Sequence, residues 1–247
     1  MTFAFFDSKK VVRAIKKVAK LPSDALKEGY FIFVKEKNEP GVIRHARPKG
    51  KKVALTFDDG PGNNFTPEVL RILKKYDVKA TFFIVGKRAK KHPALCRQIL
   101  KEGHEIGNHT YSHTDLITKT PGQISREIQR GGAAIFEATD KMPKYFRPPY
   151  GVYNRFVKRI AAREGYTFVL WNVRTFDSSM TPRTKRSIIS KTKKLAKPGD
   201  IILLHDSKSR LKSMVDRKVT VNALPEIIEN LLSKGLKPVT LSELLKN

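Results

Sequence analysis

From Val53 to its carboxyl end the chain alternates short apolar runs with longer segments of helical spacing. The runs are "VALTF", "ATFFIV", "HEIG", "KYFR", "YTFVLW", "DIILLH" and "KPVTL". Between them lie segments such as "TPEVLRILKKY", "PALCRQILKEG", "GQISREIQRGGAAIFEA", "YNRFVKRIAAREG" and "VNALPEIIENLLSKG", whose apolar positions recur every three or four residues. Such alternation predicts an α/β fold of about seven parallel strands, in a sheet either open or closed into a barrel. Thr66 and Pro67 mark one helix start, with Thr66 as its cap.

The polar residues are not scattered on that map. Asp58 and Asp59 end the first strand, "NHTYSH" follows the third and "RPPYG" extends the fourth. "NVRTFD" follows the fifth and His205-Asp206 ends the sixth. In a parallel α/β fold the carboxyl ends of the strands share one face, where the site forms. Five clusters far apart in sequence therefore converge. That convergence disfavours reading Asp58-Asp59-Gly60 as a plain exposed turn.

Before the alternation the sequence is different. Residues 1–50 form a basic extension, with a basic amphipathic helix expected over 1–20 from Val11, Ile15 and Val18. Packing on the main domain is its preferred reading, ahead of a membrane-surface or polymer-binding role. Residues 38–52, rich in Pro, Gly and Lys, read as the link into the main domain over 51–247. No apolar run approaches a membrane span. The amino terminus lacks the order of a secretory signal, because its charges follow the apolar stretch.

The formal charge of +27 suits a polyanionic partner such as nucleic acid, anionic lipid or an acidic wall polymer, without choosing among them. The single cysteine, Cys96, excludes an intramolecular disulfide and a cysteine zinc cluster, and its apolar setting predicts a core residue.

His109 and His113 stand four apart, a spacing that puts two imidazoles on one helical face where both can grip a metal. A carboxylate from a neighbouring strand end completes two His and one acid, with positions left open for water and substrate. Successive side chains of an extended segment diverge. One of the adjacent aspartates can therefore ligate while the other faces water as general base. His205, on another strand end, can protonate a leaving group. Arg147 is suited to hold a carboxylate, and Trp171 to wall a substrate. His104 and His92 read as structural histidines, and His45 as solvated.

"TFDDGP", "HTYSH", "RPPYG", "WNVRTFD" and "IILLHD", in that order, resemble the five motifs of the polysaccharide deacetylase family, the NodB-type carbohydrate esterases of family 4. The resemblance spans roughly 51–244 and implies a distorted (β/α) barrel that hydrolyses N-acetyl, less often O-acetyl, groups of a polysaccharide. Position by position, it implies that Asp59, His109 and His113 hold a divalent metal, zinc above others. Asp58 is then the base, His205 the acid and Arg147 the residue that orients the base. The Tyr150 amide serves the oxyanion, and Trp171 and Leu203 line the acetyl pocket. The fourth motif departs from the usual Asp-x-x-Asp-Trp. Arg174 replaces its first Asp and Ser178 its Trp, so Arg174 is expected to add a second cation near the base, with Asp177 neutralising one of the two.

The charge favours peptidoglycan over neutral chitin-type oligosaccharides as substrate, with acetylated xylan third. A non-catalytic binder of an anionic polymer explains the charge but not five motifs, and a metallo-phosphoesterase would carry more carboxylates around two ions. No sequence-specific nucleic-acid module and no transmembrane segment are expected. The oligomeric state stays open. A wall substrate implies an exported protein, any signal being absent from this chain, although a cytoplasmic place is also compatible.

Overall fold

The computed structural model describes residues 39–177, 184–207 and 218–246. The expected helix over 1–20 and Ser178 lie outside the described residues. The strands are β1 (Lys52–Asp58), β2 (Thr81–Ile84), β3 (Glu105–Asn108), β4 (Tyr145–Phe146), β5 (Thr167–Phe168), β6 (Val173–Arg174), β7 (Ile201–His205) and β8 (Lys237–Val239). The helices are α1 (Thr66–Lys75), α2 (Gly86–Lys91), α3 (Pro93–Lys101), α4 (Pro121–Thr139), α5 (Arg155–Arg163), α6 (Lys185–Leu195), α7 (Lys218–Ser233) and α8 (Leu241–Leu244). The sheet runs β5-β4-β3-β2-β1-β7-β6, every pair parallel, and curls into a half-barrel. β8 pairs with the first half of β1, on the side that β2 takes further along. All seven expected strands are present. The two-residue β6, inside what the sequence presents as a loop, is an eighth.

The pleat of β1 sorts its side chains. Val53, Leu55 and Phe57 join the large core between sheet and outer helices, with Ile202 and Leu204 of β7, Phe82 and Ile84 of β2, and Leu224 and Ile228 of α7. Ala54, Thr56 and Asp58 point the other way, into the barrel. There Ala54 packs with Phe83, Tyr145, Val169 and Ile201, closed below by Leu241 and Leu244 of α8. The same alternation turns Leu203 and His205 of β7 inward and carries Arg147 inward just beyond β4. One face thus grades from an apolar floor to a charged rim, and the rim lies at the carboxyl ends.

Between β5 and the start of β7 the barrel is bridged by residues 42–46. Ile43 pairs in parallel with Val169, and the Ala46 amide donates to the Gly199 carbonyl at 2.9 Å. Val42 and Ala46 are buried. This part of the basic stretch is built into the fold, and His45 is exposed, as expected, with its Nε2 3.2 Å from the Pro198 carbonyl.

α4 begins with a capping box, the Thr120 hydroxyl accepting from the Gln123 amide while the Gln123 side chain accepts from the Thr120 amide, and Pro121 occupies the first turn. Thr66 does not cap α1 as expected. The residue before the helix is Phe65, and the Thr66 hydroxyl donates to Asp206 at 2.6 Å and accepts from the Gly62 amide at 2.8 Å. Its side chain joins two strand ends instead. Cys96 is fully buried, as expected.

Candidate active site

Asp58 closes β1 and Asp59 leaves it with φ at 77°, a left-handed conformation uncommon outside glycine. The turn separates two side chains that would otherwise only alternate. The Asp58 Oδ1 accepts from Arg147 Nη1 at 2.7 Å. Arg147 is fully buried, and its guanidinium also donates to Thr56 Oγ1 and to the carbonyls of Val169 and Leu170. It lies 3.9 Å above the Phe83 ring and 5.4 Å from that of Trp171. A buried cation needs this many partners, because each N–H taken from water must be satisfied inside.

Asp59 turns toward the histidines. Its Oδ1 lies 2.9 Å from His113 Nε2 and 3.7 Å from His109 Nε2. One ligand atom from each of Asp59, His109 and His113 fits within a span of 4.8 Å. His109 Nδ1 lies 2.7 Å from the Arg147 carbonyl, which can only accept, so the proton sits on Nδ1 and the Nε2 lone pair faces Asp59. Burial pushes His109 down to about 4, keeping it neutral as a metal ligand must be. Burial opposes charge on Asp59 as well, but His113 above all, with His205 and His109, holds its carboxyl well below the usual carboxylate range. Two imidazoles beside an ionised carboxylate fit a divalent cation of the zinc type.

The two histidines do not share a helical face. They lie on the loop after β3, where Thr110 has φ at 66° and His113 at 56°. A β-branched threonine in that region is an outlier and requires support. Asn108 supplies it, accepting from the Thr110 amide at 2.9 Å and donating to the Ile128 carbonyl of α4 at 2.8 Å. Glu127 of α4 accepts from both the amide and the hydroxyl of Ser112. The loop that carries both histidines is thus hung from α4.

Asp58 and His205 are Cα partners on neighbouring strands. His205 Nδ1 lies 2.8 Å from Asp177 Oδ1, while Asp177 Oδ2 accepts from the His205 amide at 2.8 Å and from Thr220 at 2.9 Å. Asp177, expected to offset an arginine, is the carboxylate that orients His205. Arg174 sits in register with Leu203, its guanidinium 4.8 Å from the Phe176 ring. Tyr150 has φ at 64° and its ring meets His113 edge-on at 4.8 Å. Gly151, at φ 67°, lies so close under Trp171 that a β-carbon there would stand 2.4 Å from the indole. Leu203 is buried and Trp171 half-buried beside the same face.

Asp206 and Thr66 are joined in a way that the sequence alone does not show, since it reads Thr66 as a helix cap and Asp206 only as the end of a strand. Asp206 is wholly buried beneath Gly60, and burial pushes its carboxyl up to about 7 against the hydrogen bond from Thr66. It ties the start of α1 to the end of β7, a pairing across 140 residues with no local signature.

Fold and site together define a parallel α/β scaffold whose strand ends gather, among the described residues, one three-residue group able to hold a metal ion, an arginine-held carboxylate and a carboxylate-held histidine. Residues 45–169 match the family described as Polysaccharide deacetylase, and the chain belongs to that family. It is 40% identical over 217 residues to a peptidoglycan-N-acetylglucosamine deacetylase of Bacillus cereus, covering 87% of this chain and 99% of the relative. A chitooligosaccharide deacetylase of Bradyrhizobium is 36% identical over 193 residues, 76% of this chain and 87% of the relative. Among solved structures, the Bc1960 peptidoglycan N-acetylglucosamine deacetylase superposes with a TM-score of 0.77 at 34% identity, covering 83% of this chain and 92% of that one.

Proposed function

We propose that this chain is a metal-dependent hydrolase that removes N-acetyl groups from N-acetylglucosamine residues of peptidoglycan and releases acetate. The observation that carries the reading is the juxtaposition of the Arg147-held Asp58 carboxylate, the Asp59–His109–His113 triad and the Asp177-held His205 at adjoining strand ends. The likeness to the Bacillus cereus enzyme over nearly the whole of that relative supports it.

Zinc held by Asp59, His109 and His113 would supply Lewis-acid polarisation of the acetyl carbonyl and acidify water at the site. Asp58 accepts a proton from the attacking water. Arg147 fixes one carboxylate oxygen, so the other, 3.9 Å from His109 Nε2, is aimed at the centre. The oxygen–carbon bond forms, and the backbone amide of Tyr150 donates to the developing oxyanion. His205, its Nδ1 engaged by Asp177, gives its Nε2 proton to the sugar nitrogen as the carbon–nitrogen bond breaks. Leu203 and Trp171 pack on the acetyl methyl. The base and acid stand on neighbouring strands, on either side of one scissile amide.

The surplus of cations favours an acidic glycan over neutral chitin, and a wall substrate places the protein outside the cytoplasmic membrane. Among the described residues no helix is long and apolar enough to cross one. A chitin-type oligosaccharide is the second reading, favoured by the Bradyrhizobium relative. The test is acetate release by the zinc-loaded protein from purified peptidoglycan and from chito-oligosaccharides, with Asp58→Asn as blank. Release from peptidoglycan, absent in the variant, is expected. Release from the oligosaccharides alone would sink the peptidoglycan assignment while keeping the chemistry.

A further inference from the structure

One cluster beside the site has no part in the hydrolysis described above. β6 is two residues long and its pleat divides them. Val173 enters the core under the helices, so Arg174 turns to the barrel side, as does Leu203, its register partner in β7. After Arg174 the chain rises sharply. Thr175 Oγ1 donates to the Leu203 carbonyl at 2.9 Å and Asp177 is anchored on His205, leaving Phe176 between them with φ at 62°. That is a costly conformation for a phenylalanine, and the anchors on either side impose it.

The lifted ring is half-buried and gathers two cations. The Arg174 guanidinium lies 4.8 Å from its centroid and Lys191 Nζ, reaching over from α6, 5.5 Å. Lys191 is exposed and Arg174 half-buried. A flat apolar surface flanked by a planar guanidinium and an ammonium suits a sugar ring that carries a carboxylate: the ring stacks and the anion is shared by the cations. The cluster is one residue from Asp177 and, through Arg174, one strand spacing from Leu203. It therefore flanks the proposed leaving-group side of the cleft.

We propose that Arg174, Phe176 and Lys191 form a carboxylate-binding subsite, which holds an anionic sugar next to the one being deacetylated and selects acidic glycan over neutral glycan. This rests on the deacetylase reading and refines its substrate. The carboxylate has two possible sources in such a glycan, the lactyl group of a stem-free muramic acid or the peptide of a stem-bearing one. Both present the same chemistry to the subsite.

The experiment compares kcat/KM of the zinc-loaded full chain on stem-free N-acetylglucosamine–N-acetylmuramic acid oligosaccharides and on the same oligosaccharides with their carboxylates converted to carboxamides. A third arm uses stem-bearing glycan and its carboxamide form, which tells the lactyl source from the peptide source. The wild-type protein is expected to prefer the carboxylate form in at least one pair by about tenfold, mainly through KM. In Arg174→Gln/Lys191→Ala the ratio falls to about one, and Arg174→Lys recovers part of it. Lys141→Ala/Lys237→Ala, which removes the same charge from exposed positions elsewhere, keeps the wild-type ratio. A ratio unchanged in the double variant, or a wild-type protein indifferent to amidation in both pairs, would overturn the subsite and leave the deacetylase reading standing. No acetate from any glycan would overturn both. Binding of the stem-free oligosaccharide to metal-free protein, measured by titration calorimetry, gives a readout free of turnover. There the same substitutions weaken the carboxylate form more than its carboxamide.

Discussion

At the scale of single residues, the site is a set of pairs, each member of which is held by another. Asp58→Asn removes the proposed proton acceptor yet keeps the shape of the side chain, so acetate release is expected to fall by about 10³-fold or more while the metal stoichiometry, read by atomic absorption, stays the same. Asp177→Asn offers His205 an amide in place of a carboxylate. A fall in kcat of about 10²-fold with little change in KM is expected from steady-state kinetics. A change confined to KM would place Asp177 outside the proton path. Arg147→Ala leaves the Asp58 carboxylate buried without its cation, a change that costs about 3–5 kcal/mol. Thermal unfolding should then move down by about 10 °C or more.

Among the elements, the contact between α4 and the metal loop decides whether the triad forms. Gly131 lies in the middle of α4, where alanine would ordinarily be favoured by about 1 kcal/mol. Here a β-carbon would stand 2.4 Å from Asn108 Oδ1 and 2.8 Å from the Thr110 backbone. Backbone cannot swing aside, and overpacking of this kind costs about 1–3 kcal/mol. The packing effect outweighs the helix propensity, so Gly131→Ala is expected to lower stability. Because Thr110 is the residue displaced, metal affinity measured by competition with a chromogenic chelator should fall as well. Unchanged affinity would mean that α4 does not support the loop.

For the whole molecule, two linkages follow. A cation bound by the folded triad and not by the unfolded chain adds RT ln(1 + [metal]/Kd), about 2.7 kcal/mol at a hundredfold excess over Kd. Chelation should lower the unfolding midpoint by several degrees along with activity, and zinc should restore both. Acid acts through His104, buried at the start of β3, whose Nδ1 accepts from the Ala80 amide at 3.3 Å. Burial, with Lys79, pushes it down from 6.5 to about 4. The unfolded chain takes up this proton near 6.5 and the folded chain only near 4. The contribution is therefore fully present above 6.5 and is lost as pH falls from there to about 4, on the order of 3 kcal/mol in all. His104→Asn, which keeps an acceptor for Ala80, should flatten the pH dependence of the unfolding free energy across that window. The measurement is urea denaturation at successive pH values.

What was readable in one dimension was what repeats or what ends a repeat. The strand–helix alternation, the period of two that sends Asp58, Arg147 and His205 into the barrel, and the position of each polar cluster at a strand end all follow from local pattern. The motifs name Asp59, His109 and His113, which the fold brings together, but the helical geometry assigned to the two histidines was not what the chain adopts. His109 and His113 meet across a left-handed loop, since Asn108 and Glu127 anchor that loop on α4. Likewise Asp177 reaches His205 across 28 residues and Thr66 reaches Asp206 across 140. The stretch at 42–46 became part of the barrel because edge groups there, the Phe168 carbonyl, the Leu170 amide and the Gly199 carbonyl, needed partners. Local propensity records what a residue prefers on its own. These residues sit where they do against that preference, or without any, because hydrogen bonds to distant elements satisfy buried groups that water no longer reaches.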